Sequence, residues 1–333
     1  MKALVLDGIG QPVQLREVPT PQPQPGEVLV RLEAAALNHR DVWIQKGQYA
    51  GLRFPIILGS DGAGTVAELG EGTDETLRGQ AVIINPGHNW GDNPKAQSRE
   101  FKILGLPQDG TFAEYVSVPA RYAHPRPAHL SAEQAAALPL GGATAYRALF
   151  TRGRLQAGER VLITGIGGGV ALLALQLAVA RGAEVWVTSG SADKIERAQA
   201  LGARGGINYR QENWGKELVK QAGGQFDLIV DSAAGPGVAQ LVEAAAPGGR
   251  VVFYGGTIGT MTNVPPRHIF WKQLDLLGST MGTEEDFAGL LALIEEARIV
   301  PVIDAVFALA EGEEALRRMA EGQQFGKLVL SIK

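Results

Sequence analysis

The chain predicts an α/β fold with a doubly wound parallel sheet covered on both faces, joined to a mostly β domain that resembles a small barrel. Three observations predict it. From Arg160 onward, short apolar strand runs alternate with helical runs, the pattern of parallel βαβ units. Before that point, short strands are punctuated by Gly and Pro. At 333 residues, two cores are expected rather than one.

In chain order, strands are expected at Met1–Leu6, Val13–Val18 and Glu27–Ala36, the last with Val28, Val30 and Leu32 on one face. A proline-rich stretch, Pro19–Gly26, reads as extended. Leu37–Trp43 is a polar turn entering a short helix, and Pro55–Val66 reads as loop, glycine turn and strand. Ala81–Ile84 is another short strand, and Asn85–Gly110 is a long loop closed by a strand at Thr111–Val118. Ser131 and Gln134 form a capping box ahead of an Ala-rich helix, with a further helix over Gly141–Thr151.

The βαβ region then gives strands at Val161–Ile163, Glu184–Thr188, Gly206–Asn208, Asp227–Val230, Arg250–Tyr254 and Leu274–Gly278. Helices fill Val170–Arg181, Ala192–Leu201, Trp214–Gln221 and Gly237–Ala245. The tail reads as helix, strand, helix and strand over Glu284–Ile332, and is expected to rejoin the first domain.

The stretch Val161–Leu177 organises the chain. A buried strand enters a turn containing Gly165, Gly167, Gly168 and Gly169, and a helix leaves it at Val170. Such a turn aims backbone N–H groups and the positive helix end at a phosphate. Its fingerprint is irregular, with Ile166 and Ala171 at the outer glycine positions.

Composition narrows the chemistry. A net charge of −4 without a basic block argues against nucleic acid or an anionic membrane as partner. With no signal peptide and no apolar run long enough to span a bilayer, a cytoplasmic location is expected. Cysteine is absent, which excludes disulfides, Cys-ligated zinc and a thiol nucleophile. A metal site built from His39, Asp61, His88 and Asp92 is a minor alternative, because these residues lack a ligand spacing.

The order of Ala36–Asp41, Leu58–Val66, Gly110–Tyr115, Leu138–Tyr146, the glycine turn and Phe325–Val329 resembles the medium-chain dehydrogenase/reductase superfamily across nearly the whole chain. That resemblance implies a GroES-like catalytic domain split around a central Rossmann domain, with a cleft between them and hydride transfer from a nicotinamide. The expected bounds are residues 1–123, 124–283 and 284–333. Where the superfamily's zinc alcohol dehydrogenases hold their catalytic metal, the matching residues are Asn38, Ser60, Asp61 and Leu140. The four-Cys structural lobe corresponds to Asn85–Arg99, without a cysteine. The zinc-free quinone oxidoreductase and enoyl reductase branch fits better, through Asn38 and Asp41.

The second strand of the parallel sheet ends in Ser189 with no carboxylate before Asp193, so a ribose 2′-phosphate is accepted there, with Lys194 nearby. The branch's NADPH binders resemble the chain at Tyr209. NADPH is therefore expected in preference to NADH. By position, Thr144, Gly167, Gly168, Gly169, Val170, Gly255 and Gly256 complete the expected cofactor contacts.

Reduction of a quinone or an α,β-unsaturated carbonyl is the expected reaction, since its charge delocalises and needs only a hydrogen-bond donor. Asn38 is the candidate donor, Asp41 the second catalytic candidate and a structural cap, and Trp43 a candidate cleft wall. Tyr49, Trp90, Phe270 and Trp271 are further aromatics without an assigned place. A metal-dependent alcohol dehydrogenase and a cofactor-binding regulatory protein remain as alternatives. A homodimer is expected through the apolar edge strand at Leu274–Gly278.

Overall fold

The structure is a computed structural model that describes residues 1–332. The chain divides into two compact units. The first comprises Met1–Gly141, Thr283–Leu291 and Val300–Lys333; the second comprises Gly142–Gly282 and Ala292–Ile299.

The first unit is built on a seven-stranded sheet. Its path runs Ala123–Pro125, Ala81–Ile84, Asp61–Leu69, Glu27–Ala36, Lys327–Ser331 and Ile303–Ala308, and Tyr115–Pro119 also pairs with Glu27–Ala36. The tail pairs with this sheet, Val329 with Ala36 and Ser331 with Ala34. Strand Glu27–Ala36 departs from simple alternation. Leu29 is as enclosed as Val28 and Val30, and the short helix Ala132–Ala136 packs on this strand. Gly64 permits the close approach of its neighbour, since a Cβ there would stand 2.1 Å from the Arg31 carbonyl oxygen.

The unit runs on to Gly141: Ala123–Pro125 adds to the sheet edge through Ile84, Ile83 and Val82, and helix Ala132–Ala136 packs on strands Glu27–Ala36 and Asp61–Leu69. The capping box forms as expected: Gln134 N–H donates to Ser131 Oγ at 3.2 Å, and Ser131 N–H donates to Gln134 Oε1 at 2.9 Å. The long segment after Asn85 is not a plain loop. Gly87–His88 pairs with Lys102–Ile103, and the expected strand at Thr111–Val118 shortens to Tyr115–Pro119.

The second unit carries a six-stranded parallel sheet in the order Gly205–Asn208, Glu184–Ser189, Arg160–Ile163, Phe226–Asp231, Ala245–Phe253, Asp275–Gly278. Chain order reverses between Arg160–Ile163 and Phe226–Asp231, the switch point at which such sheets bind ligands beyond their carboxyl ends. The expected helix at Gly141–Thr151 is Pro139–Tyr146, followed by six residues of wider π-helical turn, Arg147–Arg152. A further helix, Pro266–Lys272, lies between the last two strands of this sheet, where none is expected from the sequence. Proline suits a first helical turn, whose N–H groups have no partner within the helix.

Candidate functional site

In the first unit, helix His39–Gln45 begins at Asn38, in extended conformation. Asp41 accepts the Asn38 N–H at 2.8 Å, half of a capping box that fixes the helix entry. Asn38 does not complete the box. Its side chain turns to Asp61, where Nδ2 donates to Oδ2 at 2.9 Å, and its Oδ1 accepts from Lys327 Nζ at 2.7 Å. Lys327 also donates to Asp61 Oδ2 at 2.9 Å. The other Asp61 oxygen accepts the Leu140 N–H at 2.8 Å. Asp61 is fully enclosed, and Lys327 and Asn38 keep only 4% and 8% of their surface.

A second cationic group stands beside this cluster. Arg40 Nη1 donates to Ser60 Oγ at 2.7 Å and to the Leu104 carbonyl at 2.9 Å. Two buried cations, Arg40 and Lys327, thus meet two buried carboxyls, Asp41 and Asp61. Burial pushes the Asp41 carboxyl up to about 6, against the pull of Arg40 and the Asn38 N–H, and one of its oxygens has no hydrogen-bond partner. Its other oxygen holds the start of the helix through the Asn38 N–H.

Of the four positions matched through the resemblance, Asn38 and the Leu140 N–H bond to Asp61, which follows Ser60 in the chain. The member that sequence reasoning missed is Lys327, read only as part of a terminal landmark. His88 takes no part: it stacks on Tyr122 at 4.1 Å, bonds to the Asn85 carbonyl, and burial lowers its pKa to about 4. Trp90 is buried edge-on to Phe101 within the segment that follows Asn85. Trp43 is half-buried, with its ring tilted towards His39. Phe270 and Trp271 are exposed on their short helix.

In the second unit the glycine turn is tight. Gly165 and Gly167 adopt φ of 65° and 125°, and Ile166 N–H bonds to the Thr188 carbonyl at 2.8 Å. Helix Gly169–Ala180 starts without a capping side chain, leaving its first N–H groups for an anion. Gly168 has open space where a Cβ would project. Thr164 and the loop after Phe226–Asp231 are tied together by Asp231, which accepts Thr164 Oγ1 at 2.6 Å and the Ala234 N–H at 2.7 Å. Thr144 is buried in helix Pro139–Tyr146, and Gly255 lets the backbone pass Ser232, whose carbonyl oxygen would be 2.8 Å from a Cβ.

At the end of Glu184–Ser189, cationic and hydroxyl groups converge. A Cβ on Gly167 would stand 2.8 Å from Lys194 Cδ; one on Gly190 would stand 2.9 Å from Tyr209 Oη and 3.0 Å from Arg210 Nε. Ser189 and Ser191 border them, joined by an N–H to Oγ bond of 3.2 Å. Asp193 faces Arg197 across 4.0 Å. Arg210 is a second missed residue, adjacent in sequence to Tyr209.

Residues 24–128 match the family described as alcohol dehydrogenase GroES-like domain, and residues 169–296 match zinc-binding dehydrogenase. A zinc-type alcohol dehydrogenase-like protein of Leptosphaeria maculans is 37% identical, over 96% of this chain and 95% of its own. An acryloyl-coenzyme A reductase of Metallosphaera sedula is 29% identical over 99% of this chain and 100% of its own. A crystal structure of an NAD-dependent alcohol dehydrogenase superposes with a TM-score of 0.94 at 38% identity, covering 100% of both chains. The parallel sheet, its glycine turn and the GroES-like unit define a nicotinamide-dependent oxidoreductase. The chain belongs to the medium-chain dehydrogenase/reductase superfamily.

The zinc in the matched family's description does not fit the residues present. Of the four matching positions only Asp61 is an ionisable ligand, and hydrogen bonds to Leu140, Asn38 and Lys327 engage both its oxygens. Ser60 Oγ donates to the Leu104 carbonyl, and Leu140 offers a hydrocarbon side chain. Among the described residues no group of three or more His, Cys, Asp or Glu could hold a metal ion. No helix among them is long and apolar enough to cross a membrane.

Proposed function

We propose that the protein is a zinc-independent, NADPH-dependent reductase of α,β-unsaturated carbonyls or quinones. The observation that carries this reading is the Asn38–Asp61–Lys327 cluster, which offers fixed hydrogen-bond donors where a zinc-dependent relative would place a metal ligand set. A nicotinamide held by the second unit would supply hydride, two electrons and a proton, to the β-carbon of the substrate, whose carbon–carbon π pair would become an enolate that takes a solvent proton at the α-carbon. The protein's task is to orient the substrate oxygen, to stabilise its growing charge and to keep water out.

NADPH is favoured by Lys194 beside Gly167 and by Tyr209 and Arg210 beside Gly190, because a 2′-phosphate seeks cations and hydroxyls and would be repelled by a carboxylate. Gly167, Gly168, Gly169 and Val170 would carry the pyrophosphate, and Thr144, Gly255 and Gly256 would border the nicotinamide. The acryloyl-coenzyme A reductases among the relatives support enone chemistry, whereas other relatives are named NAD-dependent alcohol dehydrogenases.

Cofactor consumption decides among the readings. NADPH oxidation with 1,4-benzoquinone or an enone, exceeding that with NADH, supports the proposal. Zinc-dependent oxidation of a simple alcohol supports the alcohol dehydrogenase reading. Tight NADPH binding without turnover of any of these supports a cofactor-binding regulator.

A further inference from the structure

The last strand of the first unit begins with a charge in a place built for hydrocarbon. Leu328, Val329 and Leu330 are wholly buried, and Lys327 at the strand's start is nearly so. Exchanging such a buried ion pair for apolar side chains is often neutral or stabilising, so packing alone gives no reason for the lysine.

The ammonium's bonding suggests its use. It has three hydrogens. One goes to Asn38 Oδ1 at 2.7 Å and one to Asp61 Oδ2 at 2.9 Å; the third has no partner among the described residues. Asn38 Nδ2 likewise spends one hydrogen on Asp61 and keeps one. Asp61 holds both donors by a single oxygen, while its other oxygen is anchored by the Leu140 N–H. The result is a pair of rigid donors, one cationic, joined through Asn38 Oδ1 and left with one free hydrogen each. A divalent ion entering here would have to displace the ammonium and would meet a single carboxylate.

We propose that Lys327 is a catalytic residue, whose fixed ammonium, with the Asn38 amide, receives the oxygen of an unsaturated carbonyl or quinone substrate and supplies the positive charge that a metal supplies in zinc-dependent chemistry. The assignment rests on the reductase reading above. As hydride reaches the β-carbon, the π pair shifts towards the carbonyl and negative charge grows on that oxygen. The ammonium is already in place to meet it, with no solvent to reorganise. Lys327 stays protonated throughout, and the α-carbon takes its proton from solvent.

The test compares wild type with three variants: Lys327→Met, Lys327→Arg, and Lys327→Met combined with Asp61→Asn. The double variant removes the charge without leaving a buried carboxylate unpaired, which keeps the test sound should the single methionine variant fold poorly. Each is assayed for kcat and KM with an enone, for NADPH affinity by titration, and for zinc uptake by native mass spectrometry.

The double variant is expected to bind NADPH as wild type does and to lose roughly a hundredfold to a thousandfold in kcat. Lys327→Arg is expected to recover part of that loss, and wild type to take up no stoichiometric zinc. A double variant that keeps wild-type kcat overturns the assignment alone; a wild type that binds one zinc per chain and gains activity from it overturns the zinc-independent reading and the assignment together. A wild-type protein that reduces no enone or quinone overturns the reductase reading and the assignment together.

Discussion

Lys327 Nζ stands 2.9 Å from Asp61 Oδ2, joining residues 266 positions apart in the chain. Asp61 begins one strand and Lys327 another, and strand Glu27–Ala36 lies between them and pairs with both. Because Asp61 is fully enclosed, its partner cannot be removed without stranding a charge. Lys327→Ala is therefore expected to destabilise the fold by about 3–5 kcal/mol, read by chemical denaturation. Adding Asp61→Asn should restore much of the loss. Equal stability of the Lys327→Ala variant and wild type would show that the ion pair is not buried in solution.

Asp41 sets a pH dependence. Burial raises its carboxyl from 3.8 to about 6, so the folded state holds a proton that the unfolded state has released. Its contribution to stability is complete below about pH 4 and is lost as pH rises through about 6. At 1.36 kcal/mol per pKa unit, the loss is on the order of 3 kcal/mol. Asp41→Asn keeps an acceptor for the Asn38 N–H without the charge, so its stability relative to wild type should improve between pH 4 and pH 7. Parallel denaturation curves for the two proteins across that range would refute this.

The groups beside Gly167 and Gly190 predict cofactor choice. Arg210→Ala and Lys194→Ala should each weaken NADPH binding by roughly tenfold to a hundredfold and leave NADH binding unchanged. Ser189→Asp should invert the preference by placing a carboxylate beside the 2′ position. Isothermal titration with both cofactors reads all three. Equal losses for NADPH and NADH would move the 2′-phosphate elsewhere.

The parallel sheet ends in strand Asp275–Gly278, with Leu276 39% exposed, and the preceding helix exposes Phe270 at 66% and Trp271 at 76%. Edge strands of this kind pair with a second copy. Sedimentation is expected to give twice the 35.2 kDa chain mass, and Leu276→Arg to reduce it to one chain. A wild-type protein that sediments as a single chain removes the dimer.

The parallel sheet was readable because its strands are continuous apolar runs set between helical runs, and the glycine turn marks its first crossover. Segments governed by contacts distant in sequence were harder. The pairing of Gly87–His88 with Lys102–Ile103 spans a polar stretch with no alternation to signal it. Pro266 hid a helix because proline permits a first turn as readily as it ends one. In the site, Asn38 and Asp61 stand in recognisable stretches, whereas Lys327 opens an ordinary apolar strand. Only tertiary pairing, 289 residues from Asn38, gives it meaning. Arg210 was missed for the opposite reason: an arginine after a strand is commonplace, and only its approach to Gly190 sets it apart.

The most direct test of a zinc-independent reductase follows the hydride itself. Protein freed of metal by a chelating resin is given NADPH deuterated at C4 and an enone, and the product is analysed by NMR. Deuterium on the β-carbon, with turnover unchanged by added zinc, is the predicted result. Deuterium on the carbinol carbon, or turnover that appears only when zinc is restored, would contradict it.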